Sequence, residues 1–408
     1  MNEKRIQSQA QRVTEVLAQI DQGLPDAPAD RQLATLYSEN RHFGSRDRRL
    51  FSSVVFSTYR WLGWTQNPSL SYYLDATERH GAIDFLLSQE GIDPNTIVPA
   101  GMLSIEEKAA RLAEWTGEET GPIRELFPEG TPELTDPQMI AFQSRAPVWI
   151  RCREEYAEQV DKRLAHHDIS VQPTPGFPLA RCIRDIPAFN RFKPDCLGLF
   201  EIQDLGSQAV GMIAAPKKGG TWWDTCCGAG GKSLQLIDMI DHNGRVVATD
   251  RRSKALDQFF SRRKKNNMKG MELYNIDVIK EPFLTREFDG ILVDAPCSGI
   301  GTWARNPDAR WRFSENDLEK YSNVQVEILK SVRRALKPDA QLVYSVCTIG
   351  PAETTGVVER VLAECSNLKL SGFTNPFTGE RVEGGMLQFP HEEVDSIGMF
   401  VAVFERTK

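Results

Sequence analysis

An alternation of short apolar strands with helical segments across the C-terminal half is the feature that most constrains the fold of this chain. Strand candidates occur at 221–224, 245–249, 272–275, 290–294 and 341–345. The segments between them have the length of helices, which is the arrangement of βαβ units. This pattern predicts an α/β fold with a doubly wound, mainly parallel sheet. A late pair of strands, at 368–373 and 399–404, would add an antiparallel edge.

The N-terminal part of the chain is predicted to be helical. Apolar residues recur at a spacing of three to four positions over 6–20, 50–62 and 103–115. Gly23 supplies a C-terminal cap for the first helix, and Ser45 begins the second. We therefore expect a helical domain at 1–140, and a proline-rich stretch at 122–137 is expected to form loop or linker.

The pattern changes near Arg145. Strand, helix and second strand are predicted in turn at 148–152, 154–166 and 169–172. This order indicates a small α+β module at 145–205, which leaves 206–408 for the α/β domain. A chain of 408 residues is long enough for three such domains.

Composition excludes several classes of protein. Hydrophobic residues make up 40% and charged residues 26%, as in ordinary globular domains. There is no run of 18 or more apolar residues, and the first residues, MNEKRIQSQAQ, lack the pattern of a secretory signal. We therefore expect a cytoplasmic protein that neither spans a membrane nor is secreted.

The charge distribution is uneven. The net charge is -7, which does not suggest a general polyanion binder. Residues 251–270 nevertheless hold eight basic side chains against Asp257 alone, so one local face is a candidate for binding phosphate. The alternative is a solvated helix face with no partner.

The eight cysteines include no Cys-x-x-Cys pair, so no structural zinc site is expected and no metal is predicted. In a reducing compartment they would be free thiols. The default for each is a small buried hydrophobic side chain, and a reactive role needs a specific neighbourhood.

A glycine-rich loop follows the first predicted strand of the α/β domain, with the sequence Asp-Thr-Cys-Cys-Gly-Ala-Gly-Gly-Lys-Ser from Asp224 to Ser233. Glycines let the backbone approach a ligand closely, and the next helix offers free N–H groups. A phosphate-binding P-loop would need glycine where Cys226 stands, and the dinucleotide fingerprint also fails.

Acidic residues mark the ends of the next strands. Asp250, 22 residues after Gly228, is placed to accept hydrogen bonds from a ribose diol. Asp277 would lie near the base of the same ligand, and Asp294 ends the fourth strand. A helix cap is the ordinary role of any one such residue. Together they favour a nucleoside-like cofactor without pyrophosphate, and S-adenosylmethionine fits that description.

Two cysteines follow strands that can be neighbours in a parallel sheet. Cys297 comes three residues after Asp294, and Cys347 follows the strand at 341–345. Two thiols and a carboxylate at a cofactor-binding edge form a candidate nucleophile site.

These residues resemble the RsmB/Sun-type RNA cytosine-5 methyltransferases. Asp-Ala-Pro-Cys-Ser-Gly at 294–299 is similar to the fourth motif of that family, and Tyr-Ser-Val-Cys-Thr at 344–348 with Glu353 is similar to its sixth. Further matches are Gln203-Asp204, Ser207-Gln208, the segment Arg305, Pro307, Asp308, Trp311 and Arg312, and Pro390-His391 with Asp395. The likeness covers the chain from Arg145 onward. Before it, Ser45-Arg46-Asp47-Arg48 with Tyr59-Arg60 resembles a NusB-like helical domain.

The resemblance implies a Rossmann-like S-adenosylmethionine-dependent methyltransferase domain, preceded by an RRM-like module and a NusB-like RNA-binding domain. It implies that Cys347 attacks cytosine C6, Asp294 binds the base, Cys297 assists release and Lys232 organises the site. The cofactor residues implied are Cys227, Gly228, Ala229, Gly230, Gly231, Lys232, Asp250, Asp277 and Asp294. Departures from the family pattern are Ala229, Ala255, Val346 and Thr354, and Arg151-Cys152-Arg153 stands where the family has Arg-x-Asn.

The expected partner is RNA, presented as a single strand or loop because the target base must leave any stack. Ribosomal RNA is the first expected substrate and transfer RNA the second. The protein is expected to be a monomer that needs neither a membrane nor a metal. The basic segment 251–270 and Arg305, Arg310 and Arg312 are candidates for holding phosphate. The other readings are a P-loop NTPase using Lys232 and Ser233, and a non-catalytic RNA-binding assembly factor. By analogy with enzymes that act on DNA, the two cysteines could also exchange roles.

Overall fold

The computed structural model describes residues 3–144, 146–184, 189, 192, 198–240, 243–281, 286–389 and 395–407. The chain divides into two compact units. The first, the helical unit, comprises 1–145 together with 303–315; the second, the catalytic unit, comprises 146–302 and 316–408. Each is described separately below. Among the described helices, none is both long and apolar enough to cross a membrane.

The α-helices are α1 (Glu3–Gly23), α2 (Ala29–Glu39), α3 (Ser45–Trp61), α4 (Pro68–Asp75), α5 (Gly81–Gln89), α6 (Ile105–Thr116), α7 (Asp136–Ala141), α8 (Ala157–His166), α9 (Leu205–Ala214), α10 (Gly231–Ile240), α11 (Ser253–Lys265), α12 (Pro307–Trp311), α13 (Glu315–Val332) and α14 (Thr355–Glu364). Short 3-10 turns lie at Pro94–Thr96, Ile123–Leu126, Glu154–Tyr156, Ile300–Thr302, Arg333–Ala335 and Pro351–Glu353.

The strands are β1 (Val148–Cys152), β2 (Ala180–Ile183), β3 (Phe200–Ile202), β4 (Thr221–Asp224), β5 (Arg245–Thr249), β6 (Met271–Tyr274), β7 (Phe288–Asp294), β8 (Leu336–Val346), β9 (Leu368–Leu370), β10 (Phe373–Thr374), β11 (Arg381–Val382), β12 (Met386–Phe389) and β13 (Met399–Arg406).

The helical unit contains the three helices predicted from apolar spacing, α1, α3 and α6, and in addition α2, α4, α5, α7 and α12. The apolar stripe of α1 is buried along one face, from Ala10 to Ile20. Helix α6 begins with a capping box in which Ser104 and Glu107 exchange side-chain and backbone hydrogen bonds, and it ends at Gly117 in the left-handed conformation. The region is all-helical as expected, and its likeness to NusB stays a prediction.

The segment 303–315 follows the Cys297 loop in sequence but belongs to the helical unit. Asp308 Oδ2 accepts a hydrogen bond from the Ala29 N–H at 3.1 Å. Arg310 is fully buried, and its guanidinium donates to the Leu126 carbonyl at 2.9 Å and lies 4.8 Å from the centre of the Phe127 ring. The expectation that Arg310 holds phosphate is therefore wrong, because its donors serve carbonyl groups inside this unit. Arg312 pairs with Asp308 at 3.3 Å.

The small module has an antiparallel sheet in the order β2-β1-β3, with α8 packed on it. The strand predicted at 169–172 does not form. Asp168, two residues beyond the end of α8, has a φ of 57°, and the Ile169 N–H bonds back to the Leu164 carbonyl. Ile169 is thus buried against α8, and the second strand of the sheet comes later in the chain, at β2.

The main sheet has the order β12-β13-β8-β7-β4-β5-β6, with β9 also pairing β13. Strands β8, β7, β4, β5 and β6 are parallel, which confirms the predicted α/β fold. The late pair adds the predicted antiparallel edge to the parallel strands: β13 pairs antiparallel with β8, and β9 pairs antiparallel with β13. Strand β12, which was not predicted, extends this edge beyond β13. The late strand predicted at 368–373 is divided into β9 and β10, and β10 pairs only with β11 among the described strands.

Both faces of this sheet are covered, as its unbroken apolar strands require. Adjacent residues on β4 point to opposite sides: Trp222 joins the apolar cluster containing Leu234, and Trp223 joins the cluster containing Phe288. Because the two faces are closed, the polar residues that follow the parallel strands collect at one open edge of the sheet.

Candidate active site

A cleft of about 540 Å³ lies at the carboxyl edge of the parallel strands. The structure brings nearly all the sequence-predicted site residues together there, namely Cys227, Gly228, Ala229, Gly231, Lys232, Asp250, Asp277, Asp294, Cys297 and Cys347. Gly230 belongs to the same loop but is not in the lining. The C-terminal motif Pro390-His391 lies outside the described residues.

The glycine-rich loop connects β4 to α10. Gly228 and Gly230 have φ values of 52° and 86°. A Cβ atom on Gly230 would lie 2.2 Å from the Phe259 ring, so this position cannot hold a side chain without moving the core. Because Gly230 has no side chain, the Phe259 ring of α11 can pack directly against the loop.

Asp250 follows β5 and is only 4% exposed. Its Oδ2 accepts from the Gly228 N–H at 2.9 Å and from the Arg252 guanidinium at 3.0 Å, and its Oδ1 accepts from the Arg252 N–H at 2.8 Å. Burial opposes ionisation, but the hydrogen bonds from Arg252 outweigh it and the pKa of Asp250 is lowered. A ribose diol at this carboxylate would have to share it with Arg252, a partner that sequence analysis did not identify.

Asp224, at the end of β4, was also missed as a site residue. It is 1% exposed; Ser233 Oγ donates to its Oδ2, and the Cys226 backbone N–H also stabilises the carboxylate. Oδ1 is buried and receives no full hydrogen bond in the part of the chain that the structure describes. Burial, with the Asp294 charge nearby, raises its pKa to about 7. The strand-end rule that selected Asp250 would have selected Asp224 as well.

Lys232 and Asp294 form an ion pair across the cleft, with Nζ 2.8 Å from Oδ2. The other oxygen of Asp294 accepts from Ser345 Oγ at 2.9 Å. Burial disfavours the Lys232 ammonium, but the Asp294 charge outweighs it, so the pKa of Lys232 is raised. Lys232 therefore stays protonated beside Cys347, while the Asp294 carboxylate balances its charge.

The sulfur atoms of Cys297 and Cys347 are 3.2 Å apart. The hydrogen bond between the two sulfurs, in which either thiol can be the donor, lowers the pKa of Cys347 and raises that of Cys297. Burial and the Asp294 charge oppose ionisation of Cys347, and the Lys232 charge favours it. Burial raises the pKa of Cys226 to about 12 and also raises that of Cys227. Of the four thiols at the cleft, Cys347 is thus the one whose ionised form is favoured.

The basic segment is only partly available for phosphate. Arg262 binds Glu201 and donates to the Ala229 carbonyl at 2.9 Å, and Arg263 donates to the Met271 carbonyl at 3.0 Å. These contacts use some of the donors of both arginines, and both side chains are half-buried, so phosphate binding by Arg262 and Arg263 stays a prediction. The exposed cations of the segment are Arg251, Arg252, Lys254, Lys264, Lys265 and Lys269.

Residues 211–405 match the family model described as 16S rRNA methyltransferase RsmB/F. A Synechocystis protein named probable ribosomal RNA small subunit methyltransferase B is 30% identical over 50% of this chain and 47% of its own length. A Vibrio cholerae protein named ribosomal RNA small subunit methyltransferase B is 27% identical over 65% of this chain and 62% of its own. The matched part thus spans only about half to three fifths of these relatives.

Solved structures share the fold. A crystal structure of a protein designated PH0851 has a TM-score of 0.73 at 21% identity, covering 97% of this chain and 98% of its own. NSun6 from Pyrococcus horikoshii, determined with SFG, has a TM-score of 0.59 at 17% identity over 67% of this chain and 94% of its own. At these identities the likeness is one of fold.

Proposed function

We propose that the chain is an S-adenosylmethionine-dependent RNA methyltransferase that forms 5-methylcytosine, since residues 211–405 match the family model described as 16S rRNA methyltransferase RsmB/F. The observation that carries the proposal is the pair of cysteine sulfurs, 3.2 Å apart, beside the Lys232–Asp294 ion pair. A methyltransferase that used no covalent intermediate would need neither thiol.

The cleft contains groups suited to each part of S-adenosylmethionine. Asp224 lines the cleft and would accept from the α-ammonium of the methionine end, and the glycine loop would lie along the same end. Asp250 would accept from the ribose hydroxyls, and Asp277, which also lines the cleft, would lie near the base. When bound, the cofactor supplies an electrophilic methyl group. The SFG bound in the Pyrococcus NSun6 structure, an analogue of S-adenosylmethionine, supports this assignment.

Cytosine C5 is a poor nucleophile, so a thiolate must first add to C6 and move electron density onto C5. We assign this attack to Cys347, because its ionised form is favoured by Cys297 and Lys232. Asp294 would accept a hydrogen bond from the exocyclic amino group of the base, and the Lys232 ammonium would offset the negative charge that develops on the ring.

After methylation, C5 carries both the methyl group and its original proton. Loss of that proton restores the double bond and expels the Cys347 thiolate. The C5 proton passes to solvent water. Cys297 is placed to assist this release, since its raised pKa keeps it a thiol that can donate a hydrogen bond to the departing Cys347 thiolate.

The test separates the two cysteines. Cys297→Ala should methylate RNA but accumulate a protein–RNA adduct that survives denaturing electrophoresis, whereas Cys347→Ala should form neither adduct nor product. Cys182→Ala, which removes a thiol that does not line the cleft, is the matched control and should behave as the unaltered protein. The opposite pattern would exchange the roles of the two cysteines. Full activity in both variants would exclude covalent catalysis here.

We propose ribosomal RNA as the substrate, since the relatives named above are ribosomal RNA methyltransferases. The exposed cations of the 251–270 segment would hold its phosphates, and the target cytosine would enter the cleft from a single strand or loop. Bisulfite sequencing of RNA from a strain lacking this protein should show one ribosomal cytosine unmethylated. Loss of a transfer RNA mark instead would reassign the substrate.

A further inference from the structure

A buried polar network lies behind the two reactive cysteines and is not used by the mechanism above. At its centre is Glu353, which is 0% exposed. Burying a carboxylate is costly unless its oxygens are satisfied by hydrogen bonds. The network therefore needs a reason, and its contacts suggest one.

The donors to Glu353 come from both sides of the cysteine pair. Oε1 accepts from the Ser298 N–H and from Gln325 Nε2, both at 2.9 Å, and Oε2 accepts from Ser298 Oγ. Ser298 Oγ also lies 3.0 Å from Thr348 Oγ1. The Tyr344 hydroxyl donates to the Glu353 carbonyl at 2.6 Å, which fixes the backbone of this residue to β8.

These contacts hold the residues next to each thiol. Ser298 follows Cys297, and Thr348 follows Cys347 in the sequence. Gln325 of α13 donates in addition to the Pro296 carbonyl at 2.9 Å, so both neighbours of Cys297 are bound within the network. Glu353 thus connects the two loops whose sulfurs must meet.

The two cysteines depend on this network to different extents. Cys347 comes directly after β8, whose last residue, Val346, is paired with Phe400 of β13. Cys297 lies three residues beyond β7, in a loop that is tied to the sheet by the Ala295 N–H and held near Cys347 through the Gly301 N–H. Loss of Glu353 should therefore displace Cys297 more than Cys347.

We propose that Glu353 is a positioning residue that holds Cys297 against Cys347 for the release step. This inference rests on the proposed function for its consequence in catalysis, but its geometric content can be tested without RNA. It predicts that altering Glu353 reproduces the Cys297→Ala defect in part, while leaving the attack by Cys347 largely intact.

The catalytic test compares Glu353→Ala with the isosteric Glu353→Gln, which replaces one acceptor oxygen by a donor. In Glu353→Ala, release of methylated RNA should slow by roughly 10- to 100-fold, the effect expected of a displaced reacting group, while single-turnover methyl transfer changes much less. The adduct should accumulate. Glu353→Gln should show a smaller defect of the same kind. Glu364→Ala, which removes an exposed carboxylate of α14, is the control and should change neither step.

The geometric test uses diamide, which accepts two hydrogens as two thiols join in a disulfide. The unaltered protein should form a Cys297–Cys347 disulfide rapidly, seen by mass spectrometry of the linked peptides, and Glu353→Ala should form it roughly tenfold more slowly. Equal cross-linking rates would overturn the proposal, even if one variant is less stable. If Cys297→Ala traps an adduct and neither Glu353 variant does, the positioning role is wrong. If none of the variants traps an adduct, the proposed covalent mechanism is wrong. The cross-linking rates would then still show whether Glu353 holds Cys297 against Cys347.

Discussion

Two carboxylates that are mostly or wholly removed from solvent, Asp75 in the helical unit and Asp224 in the catalytic unit, differ in what surrounds them. Asp75 accepts hydrogen bonds from Ser57, Arg60 and Trp61, and Lys108 lies 3.8 Å away. Burial opposes its ionisation, but the Arg60 and Lys108 charges outweigh it and its pKa is lowered. Asp224 has one hydroxyl partner and a contact with the Cys226 backbone N–H, its Oδ1 receives no full hydrogen bond from the described residues, and its pKa is raised to about 7.

We interpret Asp75 as a carboxylate that stabilises the fold and Asp224 as one that is available to bind a ligand. A carboxylate whose oxygens already have hydrogen-bond and ionic partners cannot accept from a further ligand, and it holds its neighbours in place. A buried carboxylate with a free oxygen on a cleft costs stability, and such groups concentrate at functional sites. The comparison therefore predicts opposite effects when each residue is replaced by its neutral isostere.

The largest expected effect is on stability at Asp75. Asp75→Asn leaves Arg60 and Lys108, whose side chains are 5% and 9% exposed, without their counter-charge. We expect a loss of about 3 to 5 kcal/mol in the free energy of unfolding, measured by chemical denaturation. A loss below about 1 kcal/mol would mean that these cations are solvated and that the pair is not structural.

Asp224→Asn should act in the opposite direction. A pKa raised in the folded state means that the protein holds this proton more tightly when folded, so the stabilising contribution is complete below about pH 4 and lost as the pH rises through about 7. At pH 8 the variant should therefore be more stable than the unaltered protein, by on the order of 3 kcal/mol, while binding S-adenosylmethionine more weakly. If the free energy of unfolding were the same at pH 5 and pH 8 in both proteins, the raised pKa of Asp224 would not affect stability and this prediction would be wrong.

The sequence predicts features that depend on local contacts better than features that depend on contacts between residues distant in the chain. Strands β4 and β5 were predicted at their observed bounds, because short apolar runs between turn residues carry that information locally. The cleft residues were found by the rule that side chains after parallel strands share one edge. That rule identified Asp250 and Asp294 but was not applied to Asp224, which satisfies it equally.

What the sequence could not supply was the placement of 303–315. This segment carries Arg310 beside a cysteine loop, and its charge suggested phosphate binding. Its hydrogen bonds join it to Leu126 and Ala29, which are far away in sequence, so no local pattern marks it as part of the helical unit. The same limit applies to Arg262, whose acceptors are on Glu201 and the glycine loop.

A smaller effect is expected where a carboxylate already has a partner that a ligand must replace. Asp250→Ala should weaken S-adenosylmethionine binding by ~1 to 3 kcal/mol, the usual cost of an unpaired buried polar group, as measured by calorimetry. Arg252→Ala removes the side chain that competes for the same oxygens, so it should leave the affinity unchanged or increase it. A loss in Arg252→Ala as large as in Asp250→Ala would assign the ribose contact to the arginine.

The smallest effect concerns cations that have neither structural nor cleft partners assigned to them. Lys254, Lys264 and Lys265 are exposed on α11, unlike Arg262 and Arg263 on the same helix. Replacing these three lysines by alanine should change the free energy of unfolding by less than about 0.5 kcal/mol, as is usual at the surface. RNA affinity should fall, and the slope of its logarithm against that of salt concentration should decrease by ~0.7 for each phosphate that the protein no longer neutralises.

The matched control replaces Lys217, Lys218 and Lys369, which are also exposed; the first two precede β4, at the end of the strand away from the cleft. Both triple variants remove the same charge, so an equal decrease of RNA affinity in the two would assign the effect to net charge. A change confined to the α11 variant would place the RNA backbone along that helix.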